Sequence, residues 1–326
     1  MKPVAHGGDL GDVQRRFPDA PTPWVDLSTG INPVPYPLPA LASGNWTRLP
    51  TRAQHDALIA AAAARYGVRD PTTVVAAPGT QTLIQVLPRL LPKGQVAVIG
   101  PTYEEHEVSW RRQGHDVRIV ASLDAAAGAE IVVVVNPDNP TGRLIDSNDL
   151  RTVKGWLIVD EAFIDFHPPS ASLANKLPPR AIVLRSFGKT YGLAGVRLGF
   201  AIAETAMADR LRDELGPWAV SGPALGIGGL ALSDTSWLHA AARRLEADGR
   251  TLDGLLTDSG FELVGGTSLF RLARHAEASA IADRLGRHGI HVRAFAHEPC
   301  WLRFGLPGSA PEVARLRDAL ERSPRG

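Results

Sequence analysis

The chain has 326 residues, 44% of them apolar and 21% charged, which excludes a disulfide-stapled miniprotein, a disordered tail and a fibrous repeat. Its 35 Lys and Arg nearly balance 34 Asp and Glu, leaving a net charge of +1, so no global field draws nucleic acid or an anionic membrane and any anion must be recognised locally. A single cysteine, Cys300, excludes an intramolecular disulfide and agrees with a reducing cytoplasm.

Residues 1–11 lack the apolar run of a signal peptide, and no stretch approaches the roughly 20 apolar residues of a membrane span, so a cytoplasmic protein is expected. The first forty residues carry Pro33, Pro35, Pro37 and Pro39 and read as an extended arm rather than a helix. Short apolar runs at 73–76, 96–99, 117–121, 131–135, 156–160, 182–185 and 198–202 then read as strands. Stretches at 52–66, 80–91, 104–113 and 146–154 have the composition of covering helices, and strand–helix alternation of this kind predicts an α/β core with a mostly parallel sheet. After Gly216 the pattern changes to Ala/Leu/Arg-rich helices at 223–232 and 237–256, followed by short strands at 261–264, 268–272 and 301–304. The expected organisation is an N-terminal arm over 1–40, a large α/β domain over 41–216 and a smaller α+β domain over 217–326.

The densest chemical signal is Ser186-Phe-Gly-Lys189-Thr-Tyr-Gly-Leu-Ala-Gly-Val-Arg197-Leu-Gly, directly after a predicted strand. A lysine amine at a strand end can form an imine with an aldehyde cofactor, while Ser186 and Arg197 supply donors for its phosphate. The bland alternative for this segment taken alone is a solvated surface lysine. A second signal, Asn136-Pro-Asp-Asn139-Pro-Thr-Gly142, follows the buried strand 131–135, and a third, Asp160-Glu161-Ala-Phe163, ends a strand of its own, 157–159. Ligands gather at the carboxyl ends of parallel strands, so Asn139 and Asp160 project toward one edge of the sheet. Each motif is common turn chemistry by itself; the three together are not.

On these motifs, in this order and spacing, the chain resembles the pyridoxal-phosphate enzymes of the aspartate aminotransferase fold (fold type I), in the subgroup of histidinol-phosphate aminotransferase and threonine-phosphate decarboxylase. The opening His6-Gly-Gly-Asp9 and Asp26-Leu-Ser28-Thr-Gly30-Ile-Asn32-Pro33 are most similar to the threonine-phosphate decarboxylases of cobalamin synthesis. The resemblance implies pyridoxal 5'-phosphate as cofactor, L-threonine O-3-phosphate as substrate and a homodimer, with histidinol-phosphate aminotransferase as the alternative activity. It makes Lys189 the Schiff-base lysine and proton shuttle, Asp160 the partner of the pyridine nitrogen, Asn139 a donor to the cofactor's phenolic oxygen and Tyr103 the aromatic on its ring face. Gly79, Thr80, Gln81, Ser186 and Arg197 would hold the phosphate, Gly79–Gln81 through the N-terminus of the helix that follows. Arg303, in Trp301-Leu-Arg303-Phe-Gly, would clamp the substrate carboxylate; Gly30, Ile31, Asn32 and Asn139 would contact the substrate, and His6, Gly7 and Gly8 would lie near its phosphate.

Two departures stand out. Phe163 occupies a position where the aminotransferases generally carry Tyr, which leans away from transamination, and Leu49 in Arg48-Leu49-Pro50 replaces a Tyr that in the family reaches the neighbouring subunit's cofactor. Gly226-Ile-Gly228-Gly229 has no preceding strand and reads as close helix packing rather than a nucleotide loop. The ten His show no zinc-type pairing, so no metal is expected.

Overall fold

The computed structural model describes residues 7–321. Its strands, in chain order, are β1 (Val25–Leu27), β2 (Val74–Ala77), β3 (Gln95–Ile99), β4 (Asp116–Val120), β5 (Ile131–Val135), β6 (Trp156–Asp160), β7 (Ala181–Ser186), β8 (Gly199–Ala203), β9 (Glu262–Thr267), β10 (Phe270–Arg274), β11 (Ile290–Ala294) and β12 (Trp301–Gly305). The chain divides into two compact units: one holds Tyr36–Asn139 and Arg143–Leu238, the other the chain up to Pro35, Pro140–Gly142, and the chain from His239 onward.

In the larger unit, seven strands order as β2-β8-β7-β6-β5-β3-β4. All pairings are parallel except those of β8, which runs antiparallel to both β2 and β7. Strand β5 is apolar at every position because both faces of the sheet are covered: Val132 and Val134 pack into one core with Leu58, Phe187 and Phe200, and Ile131 and Val133 into the other with Leu83, Leu87 and Trp110. The helix Arg52–Tyr66 starts with a reciprocal capping box between Thr51 and Gln54 and ends at Gly67 in the left-handed region, so sequence alone stops it at both ends. It packs against the helix Gly222–Ser233. A Cβ on Gly228 would lie 2.5 Å from Leu198 Cδ2 and 2.9 Å from Leu58 Cδ1, so that glycine serves helix packing, as its sequence context implied.

The second unit contains a five-stranded sheet, β1-β11-β12-β10-β9, in which β1 pairs parallel with β11 and the remaining neighbours are antiparallel. This corrects the reading of the first forty residues as an extended arm. The segment forms a helix, Leu10–Arg16, capped by Asp9, and then a strand whose register is Val25 opposite Ile290. The prolines that argued for extension all lie beyond Asn32, so they do not disturb either element. The expected boundary at 216/217 also moves, to 238/239. The helices Thr205–Leu215 and Gly222–Ser233 still bury Met207, Leu211, Ala224 and Leu225 in the large unit's cores, so the change of composition at Gly216 is not a change of domain. The helix expected over 146–154 shrinks to Ser147–Leu150, capped by Asp146.

The arm is tied to the last helix, Ala310–Glu321, by one side chain. Arg315 donates from Nη2 to Pro21 O (2.6 Å), from Nη1 to Pro23 O (2.7 Å) and from Nε to His288 O (2.7 Å). Loss of three charge-assisted bonds in Arg315→Ala is expected to lower the unfolding free energy by about 2 kcal/mol in urea titration, whereas Arg317→Ala, exposed on the same helix, stays within about 0.5 kcal/mol of the parent.

Candidate active site

The antiparallel course of β8 places its first residue between the last residues of two parallel neighbours: Gly199 pairs with Ala77 of β2 and with Ser186 of β7. Three candidate phosphate ligands converge there. Gly79 is the N-cap of the helix Thr80–Leu90, Ser186 the N-cap of the short helix Phe187–Thr190, and Arg197 lies two residues before β8. Neither helix start carries a side-chain cap, so the longer one presents its backbone N–H groups and positive dipole end to an anion. Gly79 has φ +84° and ψ 156°, a conformation almost confined to glycine, and a Cβ built on it would lie 2.7 Å from Arg197 Nη2. The guanidinium thus rests directly on the N-cap backbone. A Cβ on Gly199 would likewise lie 2.6 Å from Thr80 N. Two glycines, an arginine and a serine hydroxyl therefore form a cradle whose donors fit a phosphate dianion.

Asp160 closes β6 with a carboxylate only 5% exposed; Oδ2 lies 3.1 Å from His106 Nε2, and Oδ1 accepts from Ala162 N at 3.1 Å. Such a held carboxylate suits a protonated ring nitrogen. Tyr103 donates its hydroxyl to Gln81 Oε1 at 3.1 Å, and Gln81 and Gln85 both donate to Glu105 Oε2, at 2.9 and 3.1 Å. Asn139, half-buried, follows a turn fixed by Asn136, whose side chain donates to Ile145 O and accepts from Ile145 N. Phe163 is buried, with Lys189 Nζ 5.5 Å from its ring centroid.

Arg185 and Thr190, which flank Ser186–Lys189, join a buried ionic cluster. Glu161 accepts from Ser172 Oγ (2.5 Å), Leu173 N (2.7 Å) and Arg185 Nη1 (3.3 Å), while Asp165 is shared between Arg185 and Arg65. Burial raises the Glu161 carboxyl above its ordinary range despite Arg185. Burial pushes Asp165 the same way, but Arg185, Arg65 and the Thr190 hydroxyl outweigh it and hold this carboxyl below its usual value. Arg185 packs over the Tyr66 ring at 4.2 Å.

The substrate residues expected from the N-terminal segment and the C-terminal sheet lie in the second unit. Arg303 on β12 is 7% exposed; its Nη2 donates to Ser28 O at 2.5 Å, and its guanidinium lies 5.2 Å from the Phe270 ring centroid. Burial lowers its pKa to about 10, assisted by Arg293 and opposed by Asp26. Arg293 stands directly opposite Arg303 in the β11–β12 register, so two cations share this part of the sheet. Ser28 also holds the glycine pair: Gly8 N donates to its Oγ at 2.8 Å, and a Cβ on Gly7 would lie 2.4 Å from its carbonyl oxygen. Gly30 is buried and Ile31 half-buried; Asn32 is buried and accepts on Oδ1 from Arg244 Nη2 (2.9 Å) and Val34 N (3.1 Å). His6 lies outside the described residues.

Sequence reasoning missed His106, Glu105, Asp165 and Arg293. A histidine three residues after Tyr103 on a predicted helix was a usable signal, since that spacing puts both on one turn. Arg293 was hidden because the alternating run Ile290–Ala294 was not read as a strand. Among the described residues no group of three or more potential metal ligands occurs, and no helix is long and apolar enough to cross a membrane.

Comparison with known proteins gives the same architecture throughout. The family model "Aminotransferase class I and II" matches residues 22–320. The chain is 41% identical over 97% of its length to a threonine-phosphate decarboxylase of Pseudomonas aeruginosa (97% of that protein), and 42% identical over 98% to one of Sinorhizobium (98% of that protein). It is 31% identical over 90% of its length to the histidinol-phosphate aminotransferase of Cronobacter sakazakii, of which it covers 89%. Among solved structures, a histidinol-phosphate aminotransferase from Sinorhizobium meliloti in complex with pyridoxal-5'-phosphate superimposes with a TM-score of 0.80 at 23% identity, covering 98% of this chain and 94% of that one. The L-threonine-O-3-phosphate decarboxylase from Porphyromonas gingivalis gives 0.73 at 18%, covering 91% and 98%. At these identities the structural matches speak for the fold. The cradle makes its own prediction: Gly79→Ala, which strains the backbone and drives a methyl into Arg197, is expected to weaken pyridoxal 5'-phosphate binding about 100-fold in equilibrium dialysis, about 3 kcal/mol, with unchanged circular dichroism.

Proposed function

Because the chain belongs to the class I and II aminotransferase family, we propose that it decarboxylates L-threonine O-3-phosphate to (R)-1-aminopropan-2-ol O-phosphate and carbon dioxide, with pyridoxal 5'-phosphate as cofactor, in cobalamin biosynthesis. The observation that carries this reading is near-full-length similarity to threonine-phosphate decarboxylases at 41–42% identity, well above the 31% of a histidinol-phosphate aminotransferase. Phe163 in place of a tyrosine supports it.

Bound pyridoxal 5'-phosphate supplies a carbonyl that exchanges amines and a ring that takes up the electron pair released when a carboxylate departs. Lys189 would hold the cofactor through its amine and would carry at Nζ the proton returned to the substrate's Cα. Asp160 would accept a hydrogen bond from the ring nitrogen, with His106 steadying its Oδ2. Gly79, Thr80, Gln81, Ser186 and Arg197 would hold the cofactor phosphate, Asn139 would donate to the ring oxygen, Tyr103 would cover a ring face, and Phe163, whose ring centroid lies 5.5 Å from Lys189 Nζ, would line the cofactor site. Arg303 binds the substrate carboxylate as a planar fork. Arg293, beside it, supplies the second positive charge that a substrate bearing both a carboxylate and a phosphate requires, and His6, Gly7, Gly8, Gly30, Ile31, Asn32 and Asn139 complete the substrate contacts.

A homodimer belongs to the same reading. Leu38, Trp46 and Leu49 are 65–68% exposed, and Leu230 52%, on the large unit, where a Cβ on Gly222 would meet Asn45 O. Exposed apolar side chains of this kind suit burial against a second copy of the chain. Sedimentation is expected to show a dimer that Trp46→Glu shifts toward monomer.

Incubation of cofactor-loaded protein with L-threonine O-3-phosphate and no keto acid is expected to yield aminopropanol phosphate by mass spectrometry, and Lys189→Ala to abolish it. Glutamate formed from histidinol phosphate and 2-oxoglutarate, with no amine from the phosphorylated threonine, would assign transamination instead. Arg303→Met is expected to raise KM at least about 100-fold, the scale of a lost charge-assisted bidentate contact.

A further inference from the structure

Asp165 closes a six-residue segment that opens with Asp160 and contains Phe163. Its carboxylate is 4% exposed and accepts from three side chains: Arg65 Nη2 at 3.2 Å and Arg185 Nη2 on one oxygen, and the Thr190 hydroxyl at 2.6 Å on the other. Arg185 and Thr190 are the residues immediately before and after Ser186–Lys189. One carboxylate therefore spans the whole strand-to-helix turn that carries the serine hydroxyl and the lysine amine.

Such a tie is needed. The helix Phe187–Thr190 has four residues and no side-chain cap, too little to maintain itself. The opposite side of the turn is packed by Gly188, where a Cβ would lie 2.7 Å from Ala194 Cα. An ionised carboxylate suits the task because both oxygens accept, so one side chain can serve donors on either side of the turn. Charge fits as well: Asp165 and Glu161 balance Arg65 and Arg185, and loss of one member leaves a buried charge without compensation.

From this bracketing we infer that Asp165 is a positioning residue, which through Arg185 and Thr190 fixes the Ser186–Lys189 turn so that the amine is presented in one direction. It touches neither cofactor nor substrate, and the inference rests on the reading of Lys189 as the cofactor lysine. The Thr190 side is the one to test, since replacing Asp165 strands two arginines in the core. Cofactor-free parent, Thr190→Val and Thr190→Ser proteins are mixed with pyridoxal 5'-phosphate and reduced with borohydride at timed intervals, and peptide mass spectrometry quantifies modified Lys189. At saturating cofactor Thr190→Val is expected to be trapped about tenfold more slowly, the scale of one buried hydrogen bond, and Thr190→Ser, which keeps the hydroxyl, within about twofold of the parent. Trapping of Thr190→Val at the parental rate, or of Thr190→Ser as slowly as Thr190→Val, overturns the inference. Where Thr190→Val does not fold, Thr190→Ala makes the same comparison with Thr190→Ser. A parent protein left unmodified at Lys189 overturns the cofactor reading instead.

Discussion

Strand β8 runs against both of its neighbours, and the chemistry of the large unit depends on that reversal. In an all-parallel sheet every strand would deliver its last residue to one edge and its first to the other. With β8 reversed, the residues leading into it reach the same edge as the residues leaving β2 and β7. Arg197 is thereby brought against Gly79, although 118 residues separate them in the chain, and only a residue without a side chain tolerates the approach. Each donor in the cradle is a backbone group or sits beside a strand end, so its placement follows from sheet register.

The adjacent carboxylates Asp160 and Glu161 show how the same register separates two tasks. One ends β6 and meets a histidine; the next is buried among Ser172, Leu173 and Arg185. Asp160 is held by His106 and the Ala162 N–H at the end of β6. Glu161 and Asp165 neutralise the buried arginines Arg185 and Arg65, and the opposite directions of their pKa displacement follow from how many cations each one sees.

Much of this was legible in the residues. Strand–helix alternation between Thr73 and Ala203 was readable because parallel strands buried on both faces become continuous apolar runs, and the three motifs at the ends of β5, β6 and β7 are local in sequence. What escaped was non-local. The strand Val25–Leu27 has three residues and no alternation to detect; it exists because β11 lies alongside it. The helices after Gly216 belong to the large unit through contacts with residues such as Leu58 and Leu198, which composition does not reveal. His106 and Asp165 gain their meaning from partners 54 and 25 residues away.

The pairing of Val25–Leu27 with Ile290–Val292 has a consequence for synthesis of the chain. The strand nearest the N-terminus emerges from the ribosome without the partner that gives it structure, and waits through some 260 further residues, roughly 13 to 50 s at ordinary elongation rates. Residues 36–139 and 143–238 can collapse around their own two cores during that interval. The small unit cannot, because its sheet closes only when the last quarter of the polypeptide arrives. Val25–Leu27 thus goes without its partner strand for most of translation, and truncation near the C-terminus would strand the beginning of the chain as well as its end.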